Sequence, residues 1–229
     1  APGWALSRAK NRYQLRAYEA ANVSRLQKSK REGRSADSAV FAAGVSLREQ
    51  ARWLDENHDI VIGILDKLEE RVVGAQGIQV EPQPLRTDGT LHEECAELLA
   101  KHWSEWSVRP EVTGMFTRAE VERLILRSAL RDGEVFSQIV RGPVSGLKHA
   151  TNIQLSLECL EADFVPMNLG SLGSGNVQQG IEVNAWGRPV AYHVYKVHPA
   201  STLRMSTATK RVPAENMLHR SEEHTSELQ

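Results

Sequence analysis

Glu161 and Asp163 are the residues in this 229-residue chain whose types and spacing come nearest to chemistry. Two carboxylates one residue apart on a strand share a face, so they suit a divalent cation, or a division of labour in which one acid is the base and the other holds the metal. The flanking sequence adds no third oxygen cluster and no nucleophile, so solvated acids at a strand end are the stronger expectation. Gly170-Ser171-Leu172-Gly173-Ser174-Gly175 is glycine-rich like a phosphate-binding loop. It lacks the Lys-Ser or Lys-Thr at a helix start, and Val177, Gln178 and Gln179 lead into a strand. A β-connection is expected there. His193 and His198, five residues apart, fall on opposite faces of a strand and do not chelate one metal. There is no Gly-x-Ser-x-Gly elbow, and neither Cys95 nor Cys159 adjoins a histidine or a glycine-rich turn. Both cysteines are expected to be buried thiols, and the eight scattered histidines make no zinc spacing. The expectation is no catalytic residue, no cofactor and no metal.

One polar feature remains. Residues 1–34 carry nine cations, Arg8, Lys10, Arg12, Arg16, Arg25, Lys28, Lys30, Arg31 and Arg34, against Glu19 and Glu32, a charge of +7. The whole chain carries −1, so residues 35–229 carry −8. Clustered positive charge displaces counterions from a polyanion, so this arm is the candidate contact for nucleic acid or an acidic protein surface. A solvated helix is the equally weighted alternative.

The elements that must position these groups follow from composition and periodicity. With 41% hydrophobic, 25% charged and 6% aromatic residues, the composition is globular. A chain of this length buries roughly 70–75% of its unfolded surface and needs no disulfide or metal for a core. No apolar stretch is long enough to span a bilayer. Residues 5–30 are helix-forming, and residues 31–36 read as a loop with Ser35 and Asp37 as candidate caps. Val40, Val45, Leu47, Ala51 and Leu54 recur at helical intervals through Asn57, and Ile60, Ile64, Leu65, Leu68 and Val72 resume the pattern until Gly74 and Gly77 close it. Residues 77–82 alternate as a short strand, and residues 91–106 form a helix with Cys95, Leu98, Leu99, His102 and Trp106 on one side. Thr117 and Glu120 form a capping box for the next helix, whose core face is Leu124, Ile125 and Leu130. Trp103 and Trp106 are core and interface anchors.

After Asp132-Gly133 the period becomes two. Residues 134–141 and 152–160 alternate, residues 168–180 form a glycine-rich loop, and Trp186-Gly187-Arg188-Pro189 turns a hairpin whose return strand holds Val190, Tyr192, Val194 and Val197. The fold class is α+β, a helical amino-terminal half followed by antiparallel β segments.

Read together, the two halves contain phrases in a recognisable order. They are Tyr18-Glu19-Ala20-Ala21; Leu47-Arg48-x-x-Ala51-Arg52-x-Leu54-x-x-Asn57; Val72-Val73-Gly74-x-x-Gly77-Ile78; Asp132-Gly133-Glu134-Val135-Phe136; Leu160-Glu161-Ala162-Asp163; Gly180-Ile181-Glu182-Val183; Gly187-Arg188-Pro189-Val190-Ala191-Tyr192-His193-Val194; His198-Pro199; and Val212-Pro213-Ala214-Glu215-Asn216-Met217-Leu218-His219. In this the chain resembles the lambda-type portal protein family of tailed bacteriophages. It departs from the family at Asn57-His58-Asp59, where Asn-Pro is usual, and at Asn216, often Asp.

The resemblance implies a structural subunit without bond chemistry of its own. It implies a dodecameric homo-oligomeric ring at the portal vertex of the virion head, through which double-stranded DNA is packaged and ejected, assembled in the host bacterial cytoplasm. Terminase, capsid and head-completion proteins are the implied partners, with no membrane involved. The corresponding organisation is a basic helical arm (1–36), the helical part of the wing region (37–131) and the antiparallel β part of the wing (132–219). The arm cations Arg8 to Arg34 are then expected to touch DNA or acidic scaffold and capsid surfaces. Residues 220–229, RSEEHTSELQ, have no apolar periodicity and match the in-frame translation of a sequencing-adapter oligonucleotide. They are set aside as non-native, and with Ala1 at the start the chain is expected to be an amino-terminal fragment cut at about His219. Two other classes are kept in view: a divalent-metal-dependent phage nucleic-acid enzyme using Glu161, Asp163 and Glu182, and a DNA-binding adaptor that forms no ring.

Overall fold

A computed structural model of the chain describes residues 36–170, 176–202 and 206–221. The chain divides into two compact units, Ala1–Ser38 and Ala39–Gln229. The first lies outside the described residues except for 36–38. The helices are α1 (Ala36–Asn57), α2 (Asp59–Val72), α3 (Glu93–Ser107) and α4 (Arg118–Asp132). Seven strands follow: β1 (Glu134–Arg141), β2 (Leu155–Leu160), β3 (Val177–Gln178), β4 (Ile181–Val183), β5 (Pro189–Tyr195), β6 (Thr209–Pro213) and β7 (Met217–Ser221). The order is helices first and antiparallel strands after, the expected α+β class. No described helix is long and apolar enough to cross a membrane.

Local chemistry sets the helix boundaries. His58 is extended (φ −121°, ψ 103°) and separates α1 from α2. At the end of α2, Gly74 takes a left-handed φ of +72° and its N–H returns to the Glu69 carbonyl at 3.0 Å. At the start of α4 the capping box forms as expected, with the Glu120 carboxylate accepting from the Thr117 N–H at 2.7 Å and from its hydroxyl at 2.8 Å. Gly133, at φ +78°, ends α4 and releases the chain directly into β1.

The strands make two antiparallel sheets, β2-β1-β7 and β3-β4-β5-β6. Phe136 faces Leu160 on one neighbour and His219 on the other. The core joins both sheets: Phe136, Leu160 and Met217 from the first meet Tyr192, Val194 and Val212 from the second. The hairpin turn falls at residues 184–188, two residues earlier at its start than the expected Trp186–Pro189, since Pro189 already opens β5; the Asn184 side chain accepts from the Trp186 and Arg188 N–H groups at 2.9 and 3.0 Å.

Several expectations are corrected. Residues 77–82 form no strand, because the Ile78 backbone has no ladder partner. Its N–H goes to Glu122 at 2.7 Å and its carbonyl to Arg118 at 2.7 Å, both on α4. In β2 the alternation is inverted: Ser156 and Leu160 are buried, whereas Cys159, expected inside, is exposed and Cys95 is half-buried. The largest correction concerns the helices. Of the apolar positions that periodicity assigns to the core, Val45, Leu47, Ile60, Ile64 and Leu124 are exposed, while Arg48, Asp55, Arg118 and Asp132 are buried. β7 extends to Ser221, two residues into the stretch set aside as non-native, and Arg220 and Ser221 pair with Val135 and Glu134. Main-chain groups make that ladder, so it is indifferent to which side chains occupy it. The helix expected at residues 5–30, the Ser35 cap and residues 171–175 of the glycine-rich 168–180 segment lie outside the described residues.

Candidate functional site

The buried arginines and acids gather into one network. On α1, Arg48, Arg52 and Asp55 are spaced by four and three residues and therefore lie on one helical face. On α4, Arg127 and Arg131 repeat that geometry and Asp132 ends the helix. Arg52 grips the fully buried Asp132 carboxylate with Nε at 3.1 Å and Nη2 at 2.8 Å, and reaches Asp163 with Nη1 at 2.5 Å. Arg131 holds the other side of Asp132 at 2.8 Å. Arg127 spans α1 and α2, bonding Asp55 at 2.5 Å, Asp66 at 2.8 Å and Glu69 at 2.5 Å. Arg48 donates to Glu134 at the start of β1 at 2.9 Å and lies 3.6 Å from Asp163.

Alternating charge thus runs from α2 through α1 and α4 to both β1 and the turn after β2. Burial pushes the Asp132 carboxyl upward, but the Arg52 and Arg131 guanidinia outweigh it and hold the group below the ordinary carboxylate range. For Asp55 the Arg127 hydrogen bonds are the largest effect, and they lower it as well. Arg52 and Arg127 are raised correspondingly, chiefly by Asp132 and Asp55.

The carboxylate pair singled out in the sequence sits inside this network rather than on a strand. β2 ends at Leu160, and Glu161 precedes the short helical turn Ala162–Phe164 that contains Asp163. His198 joins them: one ligand atom from each of the three lies within 4.8 Å of the others, and His198 Nε2 is 3.3 Å from Glu161. The same acids face Arg52, which lies 3.9 Å from Glu161 as well as on Asp163. A cation there would enter a site already neutralised by a guanidinium.

Glu182, the third acid of the enzyme reading, is not among them. On β4 it pairs with Arg211 at 2.7 Å and His193 at 2.9 Å, and Arg211 foremost holds its carboxyl low. The opposite-face argument for His193 and His198 does not apply, because β5 ends at Tyr195 and His198 lies beyond the strand. Trp106 is the anchor foreseen, buried with its indole N–H donating to the Leu155 carbonyl at 2.9 Å. Trp103 stacks obliquely on it at 5.2 Å and lies under Arg118 at 5.2 Å. The arm residues Arg8, Lys10, Arg12, Arg16, Arg25, Lys28, Lys30, Arg31 and Arg34 lie outside the described residues.

Sequence reasoning did not find the network, although its signals were present as same-face Arg/Asp spacings on α1 and α4. Its members also coincide with the phrases that carried the family resemblance. Arg48 and Arg52 from one phrase meet Asp132 and Glu134 from a second and Asp163 from a third, and His219, from the last, lies 3.6 Å from Glu134. Phrases up to 171 residues apart in sequence, from Arg48 to His219, converge on one cluster.

The described residues thus form an α+β unit whose helices are joined by internal ion pairs. A family model described as "Phage portal protein, lambda family" matches residues 23–227, and the chain belongs to that family. The chain is also 26% identical over 212 residues to the "Probable portal protein" of Halomonas phage phiHAP-1, a match covering 88% of this chain and 40% of that relative. It therefore spans about 40% of the length of the curated relative it matches.

Proposed function

We propose that the chain is part of a structural portal subunit that assembles, as a homo-oligomeric ring, at the head vertex of a tailed phage. In this reading the ring carries double-stranded DNA in packaging and ejection, contacts terminase, capsid and head-completion proteins, assembles in the host bacterial cytoplasm and catalyses no reaction. The observation that carries the proposal is the family match over residues 23–227. The ion-pair network supports it, because Asp163, one of the two acids best suited to chemistry, is engaged by Arg48 and Arg52. Arg8 to Arg34 are assigned a sequence-independent phosphate contact in this reading.

The test is electron microscopy of the protein expressed from its complete reading frame, together with complementation of a portal-deficient phage scored by nuclease-protected DNA in heads. Rings with a central channel and restored protection are expected. Monodisperse non-ring particles that fail to complement would overturn the proposal. The cluster of Glu161, Asp163 and His198 favours the metal-enzyme alternative. A magnesium-dependent nuclease signal abolished by Asp163→Asn in a folded variant would move the assignment there. For the arm, binding of a residue 8–34 peptide to duplex DNA should weaken steeply with salt. A flat response or no binding removes that contact.

A further inference from the structure

We infer that residues 79–83 form an open strand edge that takes up an extended segment of a partner protein, one that alternates apolar and basic side chains. Residues 77–84 run without turn or bend. In such backbone the main-chain N–H and C=O of successive residues point to opposite sides. Ile78 fixes the inward side, since its N–H donates to Glu122 and its carbonyl accepts from Arg118, each at 2.7 Å. The Pro84 carbonyl, which accepts from the His92 N–H at 2.8 Å, lies on that side as well. By alternation Val80 and Pro82 share it, and the two prolines stand where an N–H would have nothing to meet. Gln79, Glu81 and Gln83 therefore turn their main-chain groups outward, and all three residues are exposed. Among the described residues, none of those N–H or C=O groups has a hydrogen-bond partner.

The bare edge runs beside a cleft of about 490 Å³, with Gln79 and Val80 on one wall and Trp103, Ser104 and Ser107 of α3 on the other. The side chains alternate too: Ile78 and Val80, 53% and 50% exposed, project from one face, and Gln79, Glu81 and Gln83 from the other. An added strand would cover the first face with apolar residues and set a cation opposite Glu81. Glu81 is the sole charge between Arg71 and Arg86 in the sequence, and among the described residues it forms no ion pair. The far wall is acidic as well, since α3 carries four glutamates against Lys101. Charge therefore selects a basic segment, while the main-chain ladder supplies affinity without regard to side chains. The inference stands apart from the ring reading proposed above.

The test uses the 229-residue chain and a blocked synthetic peptide of about nine residues that alternates valine and lysine, followed by fluorescence anisotropy and amide hydrogen exchange. Micromolar binding is expected, with exchange slowed at the Gln79, Glu81 and Gln83 amides. Gln83→Pro, which removes one outward donor, should weaken binding at least about fivefold while circular dichroism stays unchanged. Glutamate in place of lysine in the peptide should weaken it at least about tenfold. Methylating every second peptide nitrogen should abolish binding in one phase and spare it in the other, because one edge of an added strand faces the site. No binding, binding that leaves the three amides exchanging freely, or equal loss in both methylation phases overturns the inference. Amides already slow in the dilute monomer would show the edge covered by the chain itself, and slowing that grows with protein concentration would assign it to a second copy. Either result removes the partner protein as occupant.

Discussion

Replacing Asp132 by alanine removes the group that two guanidinia share, and the structure sets the size of the loss. The Asp132 side chain is 0% exposed, while Arg52 and Arg131 retain 24% and 22% exposure. Breaking a buried pair by deleting one partner costs about 3–5 kcal/mol, because the remaining charge stays desolvated without compensation. Here the stranded arginines are partly hydrated, and Arg52 keeps Asp163, so the lower end applies and the expected loss is about 3 kcal/mol. For a unit of this size that lowers Tm by roughly 6–12 °C. Urea unfolding followed by circular dichroism measures it, with Arg52→Met and Arg52→Met/Asp132→Ala completing a double-mutant cycle. The double variant should recover part of the loss, since neither member of the pair is then stranded, while Arg131 keeps Asp55 at 3.5 Å and Asp163 keeps Arg48 at 3.6 Å. A loss in Asp132→Ala below about 1 kcal/mol, or coupling between the positions below about 0.5 kcal/mol, would refute the claim that this network fastens α1 to α4.

The same network sets an acid limb. Asp132 and Asp55 are held below their ordinary values in the folded chain, so the stability they contribute is complete above the unfolded aspartate value of about 3.9 and is lost as pH falls through the lower folded values. The stability gap between wild type and Asp132→Asn should therefore be widest near neutrality and should close below about pH 4 in unfolding curves taken across pH. Glu111 is buried and accepts from the N–H groups of Thr113, Met115 and Phe116 at 2.7, 2.6 and 3.2 Å. Glu111→Gln should cost about 2 kcal/mol and speed hydrogen exchange at those three amides, with unchanged exchange counting against the assignment. Trp106→Phe forfeits the hydrogen bond to the Leu155 carbonyl, so a loss of about 1–2 kcal/mol is expected in the same unfolding assay. Trp186, 88% exposed at the hairpin tip, should tolerate serine within about 0.5 kcal/mol, and a larger change would mean that the tip is packed in solution.

Some of this architecture was legible without coordinates because its causes are local. The capping box at Thr117 and Glu120, the glycine that closes α2 and the hairpin around Gly187 each depend on residues within about one helical turn of one another, so their chemistry is written consecutively. The change from helical to two-residue period at Asp132-Gly133 belongs to the same category, and it placed the boundary between α4 and β1 correctly.

Which side of each helix turns inward depends on distant partners. Periodicity marked Ile60, Ile64 and Leu124 as core because it assumes that apolar residues in one chain are buried within that chain. In the folded unit the inward faces keep Leu65, Trp106 and Val121 but also carry Arg48, Asp55, Arg118 and Asp132, each matched by a charge or carbonyl brought from 40 to 115 positions away. No spacing rule announces such a match, since an arginine at a helical interval has the same local pattern whether it meets water or a buried carboxylate. Residue order alone therefore determined the four helices, the capping box at Thr117, the α+β order and the family, but not the strand expected at 77–82. Tertiary structure decided that the Glu161 and Asp163 pair is held by Arg52, that Glu182 belongs to a different pair on β4, and that the helices leave their apolar flanks at the surface.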